Sequence, residues 1–160
     1  RFNCGETINE FNDDKLLKNY KEKNFYDYQG SHFAPHLVSK EIWDKVGGFS
    51  EEFYPGVASD PDFNMKLWNI GVRIFKGLGK CRVYHFSSIS LRKKAWNNGA
   101  KTFLLKWGMS IKFFKKYYLK SDSPFKGPLT EPDKNLMFYL DLVKCKITYF
   151  FHLIISKSNA

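Results

Sequence analysis

Cysteine is scarce and scattered: Cys4, Cys81 and Cys145 are the only three in 160 residues, and no two form a Cys-x-x-Cys pair. An odd set spread this widely argues against a disulfide framework and against a zinc site, and fits reduced thiols in a cytosolic setting. No uninterrupted run of about 18 apolar residues occurs, so no segment clearly spans a bilayer. Low-complexity tracts are missing as well, and with 43% hydrophobic and 18% aromatic residues the composition is that of a globular chain. The length suits one ordinary domain or a piece of a larger one. The chain starts at Arg1 with no initiator Met and no signal-peptide pattern, and reads as part of a longer protein. Acidic residues are nearly lacking from one half only. Residues 81–160 carry 15 Lys/Arg against 4 Asp/Glu, whereas residues 1–80 are balanced at 11 against 12. That asymmetry predicts that the second half faces something anionic: substrate phosphates, acidic lipid or nucleic acid.

What is present is organised around Ser59-Asp60-Pro61-Asp62-Phe63-Asn64-Met65-Lys66-Leu67-Trp68-Asn69-Ile70-Gly71. Ser59 is placed to cap a helix, with Asp62 as the return half of a capping box and Pro61 tolerated in the first turn. Phe63, Leu67 and Ile70 share one face, and Gly71 suits the left-handed position that ends a helix. The helix dipole favours carboxylates at this end, which keeps Asp60 ionised on a rigid element, as a general base requires. The plainer alternative is that Asp60 and Asp62 only cap the helix.

Along the chain, Asn12-Asp13-Asp14 opens a short surface helix ending near Tyr20. Phe25 to Tyr28 predicts a strand, and Gly30 to Val38 another, interrupted at Pro35. His32 and His36 in that stretch are either structural or ligands of a metal or substrate. Ser39 caps a helix from Lys40 to Val46 whose buried face is Ile42, Trp43 and Val46, and Gly47-Gly48 stops it. Phe49 to Gly56 is a loop with aromatic anchors. Val72 to Phe75 and Cys81 to Phe86 alternate as half-buried strands, with His85 ending the second. Arg92-Lys93-Lys94 is a solvated basic run or a clamp on a diphosphate leaving group. Ala100, Phe103, Leu104, Trp107 and Ile111 predict one helix of about 20 residues ending near Tyr118. Ser121 to Pro132 is a turn-rich linker. A last helix, Asp133 to Ile155, is apolar at Leu136, Met137, Leu140, Val143, Ile147, Phe150, Phe151 and Ile154. Basic and aromatic residues interleave along these last helices, which suits either lying on a membrane surface or packing back on the domain.

Four pieces in register then resemble the C-terminal half of family 2 glycosyltransferases of the GT-A fold. They are Val46-Gly47-Gly48-Phe49-Ser50-Glu51-Glu52-Phe53, Ser59-Asp60-Pro61-Asp62-Phe63, Lys66-Leu67-Trp68 with Gly71-Val72-Arg73-Ile74, and Val83-Tyr84-His85. The resemblance covers roughly residues 30–110 and implies an α/β fold. Residues 1–120 would be part of a GT-A (nucleotide-diphospho-sugar transferase) domain, 121–132 a linker, and 133–160 a C-terminal amphipathic helix. It implies transfer of a sugar from a nucleotide-diphosphate donor to a carbohydrate or lipid-linked acceptor hydroxyl, with inversion, in surface polysaccharide or glycolipid synthesis. Asp60 matches the general base. Gly47, Gly48, Phe49 and Asp62 fall with the substrate-binding set, Phe53 and Tyr54 would stack on a sugar face, and Arg92 and Lys93 would close over the diphosphate. His85 matches a position that helps ligate a divalent cation, Mn or Mg. Ser59 stands where the family more often has an acid, and Lys66 where Arg is usual. The family's nucleotide-binding strands and Asp-x-Asp metal motif have no counterpart here, so the isolated chain is expected to bind nucleotide sugar weakly and to be inactive. A cytoplasmic location follows, with peripheral contact at the inner face of the membrane through the basic half. Two alternatives stay open: a basic module for anionic lipid or nucleic acid, and a non-catalytic remnant. Nucleic acid is disfavoured because no recognition motif organises the lysines.

Overall fold

The computed structural model describes residues 3–22, 26–30, 33, 35–81, 83–86 and 97–158. It is helix-rich, with one small two-stranded sheet. The first two helices form where local chemistry dictates. Helix α1, Asp13–Asn19, is capped by Asn12, whose side-chain oxygen accepts from the Lys15 N–H at 2.7 Å. Helix α2, Lys40–Val46, is capped by Ser39 and closed by Gly47 in the left-handed region at φ 70°. Its Ile42 and Val46 pack against the core, whereas Trp43 keeps over a third of its surface in solvent.

Helix α3, Ser59–Asn69, lies at the centre, and every residue from Pro61 to Met65 is buried. Its capping box does not form. The N-cap position is Ala58, left-handed at φ 69°, and the Ser59 hydroxyl instead donates to the Gly56 carbonyl at 2.8 Å. Gly99 packs on this turn so closely that a Cβ on it would lie 2.0 Å from the Val57 carbonyl oxygen. The other end behaves as its sequence predicts. Gly71 takes φ 93°, and the Gly71 and Val72 N–H groups donate to the Trp68 and Leu67 carbonyls at 3.0 and 3.1 Å.

The predicted strands shrink to a two-residue ladder. β1, Tyr28–Gln29, pairs antiparallel with β2, Lys76–Gly77, Tyr28 opposite Gly77. No strand is found among the described residues of 30–38, 72–75 or 81–86; β2 lies just past the strand expected at Val72 to Phe75. The backbone groups that a wider sheet would pair go to the irregular stretch 121–132. The Gln29 N–H donates to Ser123 at 2.7 Å, the Phe125 N–H to Asp27 at 2.9 Å and the Leu129 N–H to Arg73 at 2.7 Å. Arg73 also pairs with Glu131 at 2.7 Å, so this stretch is stitched along the sheet.

The single helix predicted over 100–118 is two. Helix α4, Gly99–Trp107, ends at Gly108 with φ 67°. Ser110 then caps a new start, helix α5, Ile111–Phe113, which widens into a π-helical turn over Phe114–Leu119. Gly-Met-Ser supplies a stop followed by a cap, and the break lets neighbouring phenylalanines serve two cores. Phe114 joins Phe53, Phe63, Leu67, Trp68 and Phe103 in the main cluster, while Phe113 packs with Leu104, Phe138 and Cys145 in a second. Helix α6, Leu136–Ser158, begins where the Asn135 side chain accepts from the Phe138 N–H at 3.0 Å. No described helix is long and apolar enough to cross a membrane. All three cysteines are free thiols, Cys4 and Cys145 buried and Cys81 exposed.

Candidate active site

The first turn of α3 holds Asp60 with 27% of its side chain exposed. His36 comes to it from the extended segment before α2, with Nδ1 3.9 Å from a carboxylate oxygen of Asp60. The imidazole is wedged edge-on against Phe63 and Phe49, at ring-centroid distances of 5.4 and 6.2 Å. Burial pushes its pKa below the usual 6.5, and the negative charge of Asp60 opposes that shift only in part. His36 is therefore neutral at pH 7, with one ring nitrogen donating and one accepting. Its Nε2 is buried and has no hydrogen-bond partner among the described residues.

Beside this pair the Gly47-Gly48-Phe49 turn forms a shelf. Gly48, at φ 59°, lies flat on Trp43: a Cβ there would sit 2.6 Å from an indole carbon, so only glycine fits. Its carbonyl accepts from the Lys66 ammonium at 2.6 Å, which ties the shelf to α3. Phe49, 44% exposed, stacks edge-on against Trp43 at 5.4 Å and over buried Phe63 at 5.1 Å. The result is an aromatic wall, partly open to solvent, joined to a partly open carboxylate through one imidazole.

Beneath the shelf lies a closed polar network centred on Asp62, whose exposure is 0%. Its oxygens accept from the Ser50 hydroxyl at 2.6 Å, the Trp107 indole N–H at 2.8 Å and the Lys106 ammonium at 2.9 Å. Lys106 also reaches Glu52 at 2.6 Å and Ser50 at 3.0 Å. Burial lowers the pKa of Lys106, but Glu52 and Asp62 more than offset this and leave it above the usual lysine value. The hydrogen bond from Lys106 in turn holds Glu52 below the ordinary carboxylate range. Lys66 is pushed down by burial, partly restored by Asp62. This network fastens α4 and the loop before α3 to the floor of the site.

The structure thus brings Asp60 and Phe49 to His36, with Gly47 and Gly48 in the turn that leads to Phe49, and redirects two other expected site residues. Asp62 belongs with the floor, not with substrate: its carboxylate is withdrawn from solvent and engaged by three donors. Phe53, at 0% exposure, is a core ring under the Lys106 ammonium, 5.3 Å from its centroid, and has no face to offer a sugar. Tyr54, 69% exposed, does present its ring to solvent. His85 is exposed on a segment whose Tyr84 hydroxyl accepts from the Cys4 N–H at 2.6 Å and donates to the Gly5 carbonyl at 2.7 Å. Arg92 and Lys93 lie outside the described residues. Sequence reasoning left His36 as a structural histidine or an unassigned ligand. Its Ser39-capped neighbour helix was visible, but nothing local says that Asp60, 24 positions on, would meet it.

Asp60 and His36 offer two donors, and among the described residues no group of three or more His, Cys, Asp or Glu side chains could hold a metal ion. Compared with known proteins, the chain matches no family model, no curated protein and no solved structure.

Proposed function

We propose that this chain carries the acceptor-side, catalytic part of an inverting glycosyltransferase of the family 2, GT-A type, with Asp60 as its general base. The observation that carries the proposal is the placement of Asp60: a partly open carboxylate at the head of a buried helix, next to a neutral imidazole and the Gly47-Gly48-Phe49 shelf. The acceptor hydroxyl gives its proton to Asp60 while its oxygen attacks the anomeric carbon. The bond from that carbon to the diphosphate breaks on the opposite face, the electron pair leaves with the nucleoside diphosphate, and configuration inverts. His36 acts as a positioning residue, restricting the carboxylate without charging at neutral pH. Phe49, Trp43 and Tyr54 provide flat apolar surface for a carbohydrate or lipid-linked acceptor, of the kind used to build surface polysaccharide or glycolipid. In this proposal the nucleotide-sugar donor and its divalent cation are held chiefly by the nucleotide-binding half that the resemblance implies.

The test is Asp60→Asn in the full-length protein. A positioned general base contributes roughly 10²–10⁴-fold, so kcat should fall by about that factor while donor affinity changes less than about twofold. Turnover within about threefold of the parent would remove Asp60 from the role.

A further inference from the structure

Helix α6 carries two opposed faces, and only one is used. Phe138, Leu142, Cys145 and Tyr149 turn inward to the second core cluster. On the other side Leu136, Leu140, Val143, Ile147, Phe150 and Ile154 recur in alternating steps of four and three and stand between 47% and 74% exposed. That spacing places all six on one stripe of a helix. Lys144 and Lys146 fall on its two flanks, and the only acid of the helix, Asp141, is turned away from the stripe, bound by Lys116 and by the Tyr117 hydroxyl at 2.8 Å each and by Lys144 at 3.3 Å. Beside the stripe, α5 and α6 enclose a cleft of about 310 Å³ lined by Lys112, Lys116, Lys144, Asp141, Ser110 and Met137. Three ammonium groups there face one carboxylate, so the cleft is net cationic. Met137 and Lys144 border both the cleft and the stripe, which sets an anion site against an apolar strip.

We propose that this face docks on an anionic membrane surface, the stripe lying in the boundary between headgroups and acyl chains and the lysine cleft taking a lipid phosphate. Charge decides the occupant. The four-three repeat also suits a coiled coil, but pairing with a second copy would bring two lysine-flanked stripes together, and the one acid of the helix, Asp141, is already shared between Lys116 and Lys144. An acidic bilayer satisfies both the lysines and the apolar stripe. Since α6 is not apolar enough to cross a membrane, it lies in the plane of the surface. The proposal uses none of the residues around Asp60 and stands independently of the transfer reaction.

The test is co-sedimentation of the whole chain with vesicles of phosphatidylcholine alone or with about 30% phosphatidylserine. Binding to the anionic vesicles should be roughly tenfold tighter or more, and should weaken as salt is raised. Ile147→Asp with Phe150→Asp should abolish it without moving the melting temperature, because both side chains are exposed. Lys144→Glu with Lys146→Glu should erase the preference for the anionic vesicles. Equal binding to both vesicle types, no binding to the anionic vesicles, or full binding by the Ile147/Phe150 double variant would overturn the proposal. A dimer that this double variant dissolves would overturn it too, assigning the stripe to a second copy.

Discussion

Two aromatic regions of this protein are built from similar residues and end in opposite states. Around α3, Phe53 and Phe63 are sealed at 0% exposure, and the Asp62 carboxylate is sealed with them, held by a half-buried indole and a partly exposed lysine. Along α6, Phe138 is buried while Phe150 and Phe151 stand about 60% exposed. The difference is in the neighbours. Helix α3 is met by α2, by the 49–56 loop and by the α4–α5 layer, whereas α6 meets that layer from one side only. Aromatic periodicity creates a surface in need of cover, and what covers it depends on which elements the chain brings alongside. The same contrast separates the two acids of α3: Asp62 points toward α4 and is consumed by the packing, while Asp60, two positions earlier, reaches the rim.

The comparison can be broken by mutation. Asp62→Ala should have the largest effect, about 3–5 kcal/mol of lost stability in urea titrations, because Lys106 and the Trp107 N–H would lose their buried partner. A loss below about 1 kcal/mol would show that water replaces the carboxylate at little cost. Within α6 itself, Phe138→Ala should cost about 3 kcal/mol, while Phe150→Ala should stay within about 0.5 kcal/mol. Equal losses would mean that the outer stripe is covered in solution.

The smallest effect is on the pH dependence of stability. Burial lowers the folded-state pKa of His36, so between that value and 6.5 the unfolded chain binds a proton more readily than the folded one. The contribution of neutral His36 is complete above about pH 6.5 and is lost as pH falls through 6.5 toward the folded pKa. Melting temperatures followed from pH 7.5 to pH 5 should decline, and His36→Gln should flatten the decline. Asp60→Asn should lower the imidazole pKa further in an NMR titration, since the charge opposing the burial effect is gone. An unchanged titration would separate the two side chains.

Much of the local structure was legible in the chain. Asn12, Ser39, Gly47 and Gly71 each do at a helix end what their chemistry predicts, within one residue of the expected boundary. Gly108 and Ser110 carried the same kind of signal for the α4–α5 break, but a continuous apolar pattern from Ala100 to Ile111 overrode it. The strands were misread because the alternation in Val72 to Phe75 and Cys81 to Phe86 was not one of burial: Ile74 and Val83 stand 59% and 66% exposed. The first found its hydrogen bonds partly in the irregular 121–132 stretch, and Tyr84 in the second found Cys4 and Gly5. In the site, the shelf and Asp60 were visible as a motif. His36, and the burial of Phe53 and Asp62, were not.

The sequence by itself determined several helix ends, that two carboxylates would sit at the head of α3, and that the second half would be cationic. These follow from interactions between residues a few positions apart, or from counting charges. The tertiary structure alone decided which acid is buried, which imidazole meets the other, and which side of α6 is left uncovered. Those outcomes depend on contacts between distant segments, such as Asp62 with Trp107 or Phe138 with Phe113, whose pairing no local pattern encodes.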